Sequence, residues 1–324
     1  MRALLQPLIE SEAFQALLAD DPPRAARVEA PGFPYVAAAL AEALERPVLV
    51  VAPGPREAAR LAAAAASFLA EGRALVFPAW EALPGEGISP APEIAARRAR
   101  AARAARGAKG PLVVVAPVVA ALQHVVPTLG ETEPLAIAAG QELAPDALAE
   151  RLTGLGYERT DLVMHRGELA VRGGILDVFP GTGLRPVRVE FFGDEIEKLR
   201  EFSASTQTSV GLIGEVVIHP VRELLPSEDV RERAERALRR SGGATRDALA
   251  RLADGLVFEG MEGAAPLLFE DMPLIRDLFA EGPAVVLAPA RLVRDRARAV
   301  AGEAAGLAEV TGVPTAIAGP EALE

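Results

Sequence analysis

The run RPVLVVAP at residues 46–53 is apolar at every position from Val48 to Ala52 and is closed by proline and glycine. It is too short for a helix with its own polar face and shows no alternation. Such a run is buried on both faces, which points to an inner strand of a parallel sheet. GPLVVVAP (110–117) and PAVVLAP (283–289) have the same character, and ALVFP (74–78) is a shorter version. The segments between them read as helices: PYVAAALAEALE (34–45), with Pro34 in its first turn, PREAARLAAAAASFLAEG (55–72), closed by Gly72, and APEIAARRARAARAARG (91–107). Strands alternating with helices predict a parallel sheet with helices packed against it.

From about Glu131 the pattern changes. APDALAERLTGLGY (144–157) reads as one helix, followed by strand-like GELAVRGGILDVFP (167–180), RPVRVEFF (185–192) and EIEKLREF (195–202). In RPVRVEFF, Val187, Val189 and Phe191 fall on one face and Arg188 and Glu190 on the other. Gly193-Asp194 fits a tight turn, so a small antiparallel meander carrying helices is predicted. Beyond about Val210 helices dominate again, as in SEDVRERAERALRR (227–240) and ATRDALARLADGL (244–256), with PAVVLAP as a further buried strand.

Half of the 324 residues are hydrophobic, enough for a core of ordinary size and for two or three compact units at roughly 100–150 residues each. No apolar run reaches the roughly 18–20 residues that cross a bilayer. The first residues, MRALLQPLIESEAFQALLADD, read as one amphipathic helix and not as a signal peptide. With no cysteine there is no disulfide, thiolate metal site or cysteine nucleophile. The cytoplasm is the default location, with no membrane partner. The net charge of −11 disfavours nucleic acid unless a basic patch overrides it locally. Lys109 and Lys198 are the only lysines and asparagine is absent, a composition that fits a GC-rich thermophile.

The first unit has the order of a P-loop domain, a strand, a glycine turn, a helix and a strand, with the turn at RVEAPGFPYV (27–36). A working phosphate loop needs glycine N–H groups, a lysine for the β- and γ-phosphates, and Ser or Thr for magnesium. Here Gly32 stands alone, Phe33, Pro34 and Tyr35 fill the turn, and Pro34 has no N–H to donate. The fold signal is present and the phosphate chemistry is missing, so no nucleotide cofactor is expected. His124, His165 and His219 lack metal-ligand spacing, FFGDEI reads as a hairpin turn, and no GxSxG elbow exists, so neither a metal nor a catalytic residue is proposed. Trp80 reads as the packing anchor of a long loop.

Arg97, Arg98, Arg100, Arg103 and Arg106 spread around more than half of a helix, which suits a solvated face pairing with acids such as Glu93; weak phosphate contact is the alternative. YERTDLVMHRGELAVRGGILDVFP (157–180) is different. Two Arg-Gly pairs, Arg166-Gly167 and Arg172-Gly173, punctuate a strand-like run. Arg159, Arg166, Arg172, Arg185, Arg188, Arg200 and Lys198 are interleaved with eight acids, among them Asp177, Glu190 and Asp194. A mixed patch does not make a polyanion groove. It suits either arginine forks on a partner protein's carboxylates, with glycine clearing space beside them, or pairing of the same arginines with their own strand neighbours.

The Y-x-R-x-D, RG, VRGxxxDxFP and RVEFFGDEI elements, in this order, resemble the module shared by the excision-repair protein UvrB and the transcription-repair coupling factor. Weaker similarity extends over nearly the whole chain. UvrB carries an intact phosphate loop and a long tyrosine-rich hairpin; here APGFPYV and the short, tyrosine-free PAWEALPGEGISPAP stand in their places, as in the coupling factor. The coupling factor is much longer, so the chain is expected to be a fragment of it.

The resemblance implies an α/β chain with a degenerate P-loop, RecA-like and UvrB-like scaffold and an inserted small α+β domain carrying an antiparallel sheet. The implied domains are 1–118, 119–208 and 209–324. It implies a non-catalytic module that docks UvrA and so links stalled RNA polymerase to excision repair, within a parent that is an ATP-dependent DNA translocase. Other domains of that parent would cover the surface until recruitment. Contact residues carried over are Arg159, Arg166, Arg172, Arg188 and Glu190, with Phe191 and Phe192 as strand core or contact. One departure stands out: Ala170 occupies a position that is often arginine in UvrB. The competing reading is a DNA-binding module with a lost ATPase site.

Overall fold

The computed structural model describes residues 2–19, 28–81, 87–240, 242, 244–311 and 316–323. Its helices are α1 (Arg2–Ile9), α2 (Glu12–Ala19), α3 (Phe33–Leu44), α4 (Pro55–Ala65), α5 (Pro92–Arg106), α6 (Val118–Leu122), α7 (Pro145–Gly154), α8 (Glu228–Leu238), α9 (Ala244–Ala253), α10 (Ala265–Leu268) and α11 (Ala290–Thr311). Its strands are β1 (Pro47–Ala52), β2 (Ala74–Val76), β3 (Leu112–Pro117), β4 (Leu135–Ala138), β5 (Glu158–Arg159), β6 (Glu168–Arg172), β7 (Ile175–Val178), β8 (Val187–Phe192), β9 (Glu195–Phe202), β10 (Ser209–Ile213), β11 (Glu215–Ile218) and β12 (Ala284–Leu287). The chain is mixed α/β, with parallel and antiparallel sheets. No described helix is long and apolar enough to cross a membrane.

The chain forms two compact units, one of residues 1–79, 101–125 and 272–324 and the other of residues 80–100 and 126–271. Both are discontinuous in sequence, so they divide the chain differently from three consecutive spans.

The first unit holds a parallel sheet in the order β12-β1-β3-β2. β1 and β3 are buried at every position, as their unbroken apolar runs require, and each fully buried valine or leucine contributes about 1.5–3 kcal/mol. β12 pairs with β1 alone and is only partly buried, so the expected inner strand at residues 284–287 is an edge strand. Alanines fill the layer above: Ala37, Ala38, Ala39 and Ala41 of α3 and Ala58, Ala62 and Ala65 of α4 are buried beside Val48, Val50, Val113 and Val115. The single amphipathic helix expected at the start is two helices. Ser11 separates them: its hydroxyl donates to the Leu8 carbonyl at 2.7 Å and accepts the Phe14 N–H at 3.3 Å, capping α2 as α1 ends. Leu5 and Phe14 then both reach the core. The strand expected before the Gly32 turn would fall on residues 20–27, which lie outside the described residues.

The second unit is built on a six-stranded sheet ordered β10-β9-β8-β7-β6-β5, antiparallel except for the β5–β6 pair. β4 and β11 form a separate antiparallel pair. β10 and β11 fall at the start of the stretch that was read as dominated by helices. β10 is exposed along most of its length and its pairing is interrupted between Ser209 and Gly211, so it lacks the alternation by which a strand is recognised. One sheet face carries Leu169, Leu176, Val178, Val187, Val189 and Leu199 against Leu148, Ala149 and Leu152 of α7. Tyr157 sits in this core, its hydroxyl donating to the His219 carbonyl at 3.2 Å and accepting the Gly181 N–H at 3.1 Å; burial pushes its phenol far above the ordinary value. Gly181 has no room for a side chain, because a Cβ there would stand 2.5 Å from the Cβ of Ala96.

Arg98 departs from the solvated helix expected of α5. Arg97 pairs with Glu93 at 3.4 Å on the surface, but Arg98 is fully buried and its guanidinium binds the Glu223 carboxylate. Glu223 also accepts the Trp80 indole N–H at 2.8 Å; residues 82–86 of the loop after Trp80 lie outside the described residues. Burial pulls the Arg98 guanidinium below its ordinary value, and Glu223 acts against that pull. Nearby in sequence, the Ser89 hydroxyl accepts from Arg222 at 2.7 Å and from the Gly260 N–H at 2.8 Å, and donates to the buried Glu262, whose carboxyl burial raises.

Candidate docking face

The outer face of the six-stranded sheet follows from alternation. With Leu169, Val171, Leu176, Val178, Val187 and Val189 inward, the residues between them must point outward. Cross-strand partners share a face, so the register sets two outward rows: Ala170, Asp177, Arg188, Arg200 and Leu212, and beside it Arg172, Ile175, Glu190 and Lys198. Two-residue turns at Gly173-Gly174 and Gly193-Asp194 hold that register, with Gly173 at φ +59° and Gly193 at φ +63°.

The charges on this face serve different purposes. Arg188 donates from Nε and Nη2 to both oxygens of Asp177, at 2.7 and 2.8 Å, and stacks 4.8 Å from the Phe202 ring. Asp177 is 4 % exposed. Its hydrogen bonds hold the Arg188 guanidinium above the ordinary arginine value. Arg200 pairs with Glu190 at 2.8 Å. Both arginines therefore satisfy strand neighbours, as the internal-pairing reading required. Arg172 is exposed at the end of β6 and reaches back only to the backbone carbonyl of Asp161 among its described contacts. Arg159, Thr160, Asp161, Val171 and Arg172 line an open concavity of about 510 Å³.

Arg166 lies apart from these. Its Nε donates to the Gly183 carbonyl at 3.0 Å, Nη1 stands 3.4 Å from Glu93, and the guanidinium is 5.1 Å from the Phe179 ring. Phe191 turns inward and packs on the core, whereas Phe192, one residue later, is 80 % exposed at the hairpin end. A register shift between Glu190 and Phe191 accompanies this divergence. The two arginine-adjacent glycines differ in their surroundings. Gly167 is at φ +86° with Pro92 2.9 Å from where its Cβ would be, and Gly173 closes a turn in open space. Ala170 is buried under Val163, together with Phe179 and Phe202, so a long side chain would have no room there. Ile175 and Leu212 are exposed apolar members of the same face that the sequence reading left out; the alternation of ILDV placed Ile175 beside Asp177 on it.

At the other sequence-derived position, Gly32 closes a 3-10 turn and opens α3 at φ −82°. Its N–H donates to the Glu29 carbonyl at 2.8 Å. Pro34 is buried, Phe33 packs on the core, and the Tyr35 hydroxyl donates to the Leu4 carbonyl at 2.6 Å while its ring packs 5.2 Å from Phe68. Among the described residues no cluster of three or more His, Asp or Glu side chains could hold a metal ion.

Residues 135–224, from β4 through Leu224, match the UvrB interaction domain family. The chain is 39 % identical over 315 residues to the transcription-repair-coupling factor of Mycobacterium tuberculosis, across 91 % of this chain and 25 % of that protein. It is a homologue of the transcription-repair-coupling factors. Those of Bacillus subtilis and Escherichia coli are each 32 % identical, over 198 and 187 residues, covering 60 % and 57 % of this chain and 17 % and 16 % of the relatives. The chain thus spans about a quarter or less of the length of the curated coupling factors that it matches. The whole of the mixed-charge face, with β5 to β10, falls within the matched interaction domain.

Proposed function

We propose that this chain is a non-catalytic docking module that recruits UvrA, and so joins a stalled RNA polymerase to nucleotide excision repair. The observation that carries the reading is the pairing of Phe192, almost fully exposed, with the unburied guanidinium of Arg172 at adjoining hairpin ends inside the UvrB interaction domain. A solvent-facing phenylalanine on the same sheet as an exposed arginine with no described carboxylate partner is the composition of an interface anchor. Asp177 and Glu190 keep Arg188 and Arg200 in place as the frame around it. Parts of the longer relatives absent from this chain would cover the same face until recruitment, in the cytoplasm.

The parallel-sheet unit is read as a degenerate P-loop scaffold. Gly32 spends its N–H on Glu29, and Tyr35 and Phe33 fill the turn with packing. Duplex binding fits less well, because Arg188 and Arg200 on the sheet face are matched by acids and the net charge is −11.

Purified UvrA should be captured by the immobilised chain, and Phe192→Ala should weaken capture by roughly tenfold or more with an unchanged melting curve. No capture by the unaltered chain overturns the proposal. Millimolar ATP with magnesium should leave the melting temperature where it was, whereas ligand at about 100 times its Kd would add about 2.7 kcal/mol. A clear upward shift would refute the scaffold reading.

A further inference from the structure

The strand β5 runs parallel to β6, and the chain then turns back across the outer face at Asp161–Met164. Its course is held at several points. The Thr160 N–H donates to the Leu169 carbonyl at 2.8 Å. The Glu168 carboxylate accepts the N–H groups of Met164 and His165 at 2.7 and 2.8 Å, and Gln207 donates to the Val163 carbonyl at 3.2 Å. Val163 drops into the small cluster with Ala170, Phe179 and Phe202 and is wholly buried. That anchoring turns its neighbours outward: Leu162 is 41 % exposed and Met164 39 %. A flexible loop would tuck such side chains away; this one is tied by backbone hydrogen bonds on both sides of them.

We infer that the Asp161–Met164 loop is a second, apolar half of the docking face, and that Leu162 is a specificity-determining contact for the same partner. The inference rests on the reading of this face as a UvrA site. Contiguity supports it. Arg172 bonds the Asp161 carbonyl, Arg172 pairs with Ile175, and Ile175 pairs with Glu190, so one surface runs from Leu162 past Arg172 to the hairpin ends. The partner this face fits presents a carboxylate to Arg172, at the rim of the concavity, with an apolar side chain beside it for Leu162.

The test is UvrA affinity for the whole chain at low and high salt. Leu162→Ala should weaken binding about tenfold, and by the same factor at both salt concentrations, because the lost contact is apolar. Unaltered affinity of Leu162→Ala, beside a weakened Phe192→Ala, overturns this inference and leaves the docking reading intact. Absent binding by the unaltered chain overturns both. Ala170→Arg supplies an independent check: it should displace Val163, lowering the melting temperature and weakening binding. Tighter binding with an unchanged melting temperature would show that the loop is mere cover.

Discussion

Arg172→Glu will abolish UvrA capture while leaving the melting temperature within a few degrees of the unaltered chain. Arg172 is exposed, its described hydrogen bond is to a backbone carbonyl, and it has no carboxylate partner among the described residues. Reversal therefore removes no buried charge pair, and surface changes of this kind stay within about 0.5 kcal/mol. At an interface the same change sets like charges together, which costs several kcal/mol, roughly a hundredfold or more in affinity. Arg188 would be a misleading probe. Glutamate at 188 would face the nearly buried carboxylate of Asp177, so lost binding there could not be separated from lost folding. Calorimetric titration beside thermal melting reads the two effects separately. Equal loss of binding and stability in Arg172→Glu would mean that this arginine holds the sheet and does not touch a partner.

Arg98→Ala will be the most destabilising single change named here. It leaves the Glu223 carboxylate buried beside Trp80 without its guanidinium, and breaking a buried pair from one side costs about 3–5 kcal/mol. At about 2–4 °C per kcal/mol for a unit of this size, the second unit should melt roughly 6–20 °C lower. Arg98→Met with Glu223→Gln should recover much of that loss. The Glu223 charge goes together with the guanidinium that it faced, and the amide oxygen still accepts the Trp80 N–H. If the double variant is as unstable as the single one, the pair's charge matters less than its shape.

The sequence is transparent where one residue type repeats under one constraint. Valine runs announced β1 and β3, and buried alanines announced α3 and α4, because a strand covered on both faces and a helix held close to it tolerate little else. It is opaque where one side chain decides. Ser11 ends one helix and starts the next by a hydroxyl that could equally have faced water. Arg98 differs from Arg97 only in the direction in which the helix points it. β10 has no periodicity to betray it, since Gly211 and an irregular pairing sit at its centre.

The candidate docking face was legible as motifs and not as geometry. Arg159, Arg172, Arg188, Glu190 and Phe192 came with the pattern. That Arg188 is tied to Asp177 while Arg172 is not depends on cross-strand register, which two short turns set and which linear spacing does not display. The burial of Ala170 depends on Val163, seven residues earlier in the chain, folding back over the sheet.

Because the second unit borrows residues 80–100 from well upstream of its sheet, it cannot be cut out as one uninterrupted stretch. A recombinant piece limited to residues 135–224 would include Glu223 but neither Trp80 nor Arg98. Such a piece would expose an acid that the intact protein neutralises, and inactivity of the excised piece would say nothing about the candidate docking surface it carries.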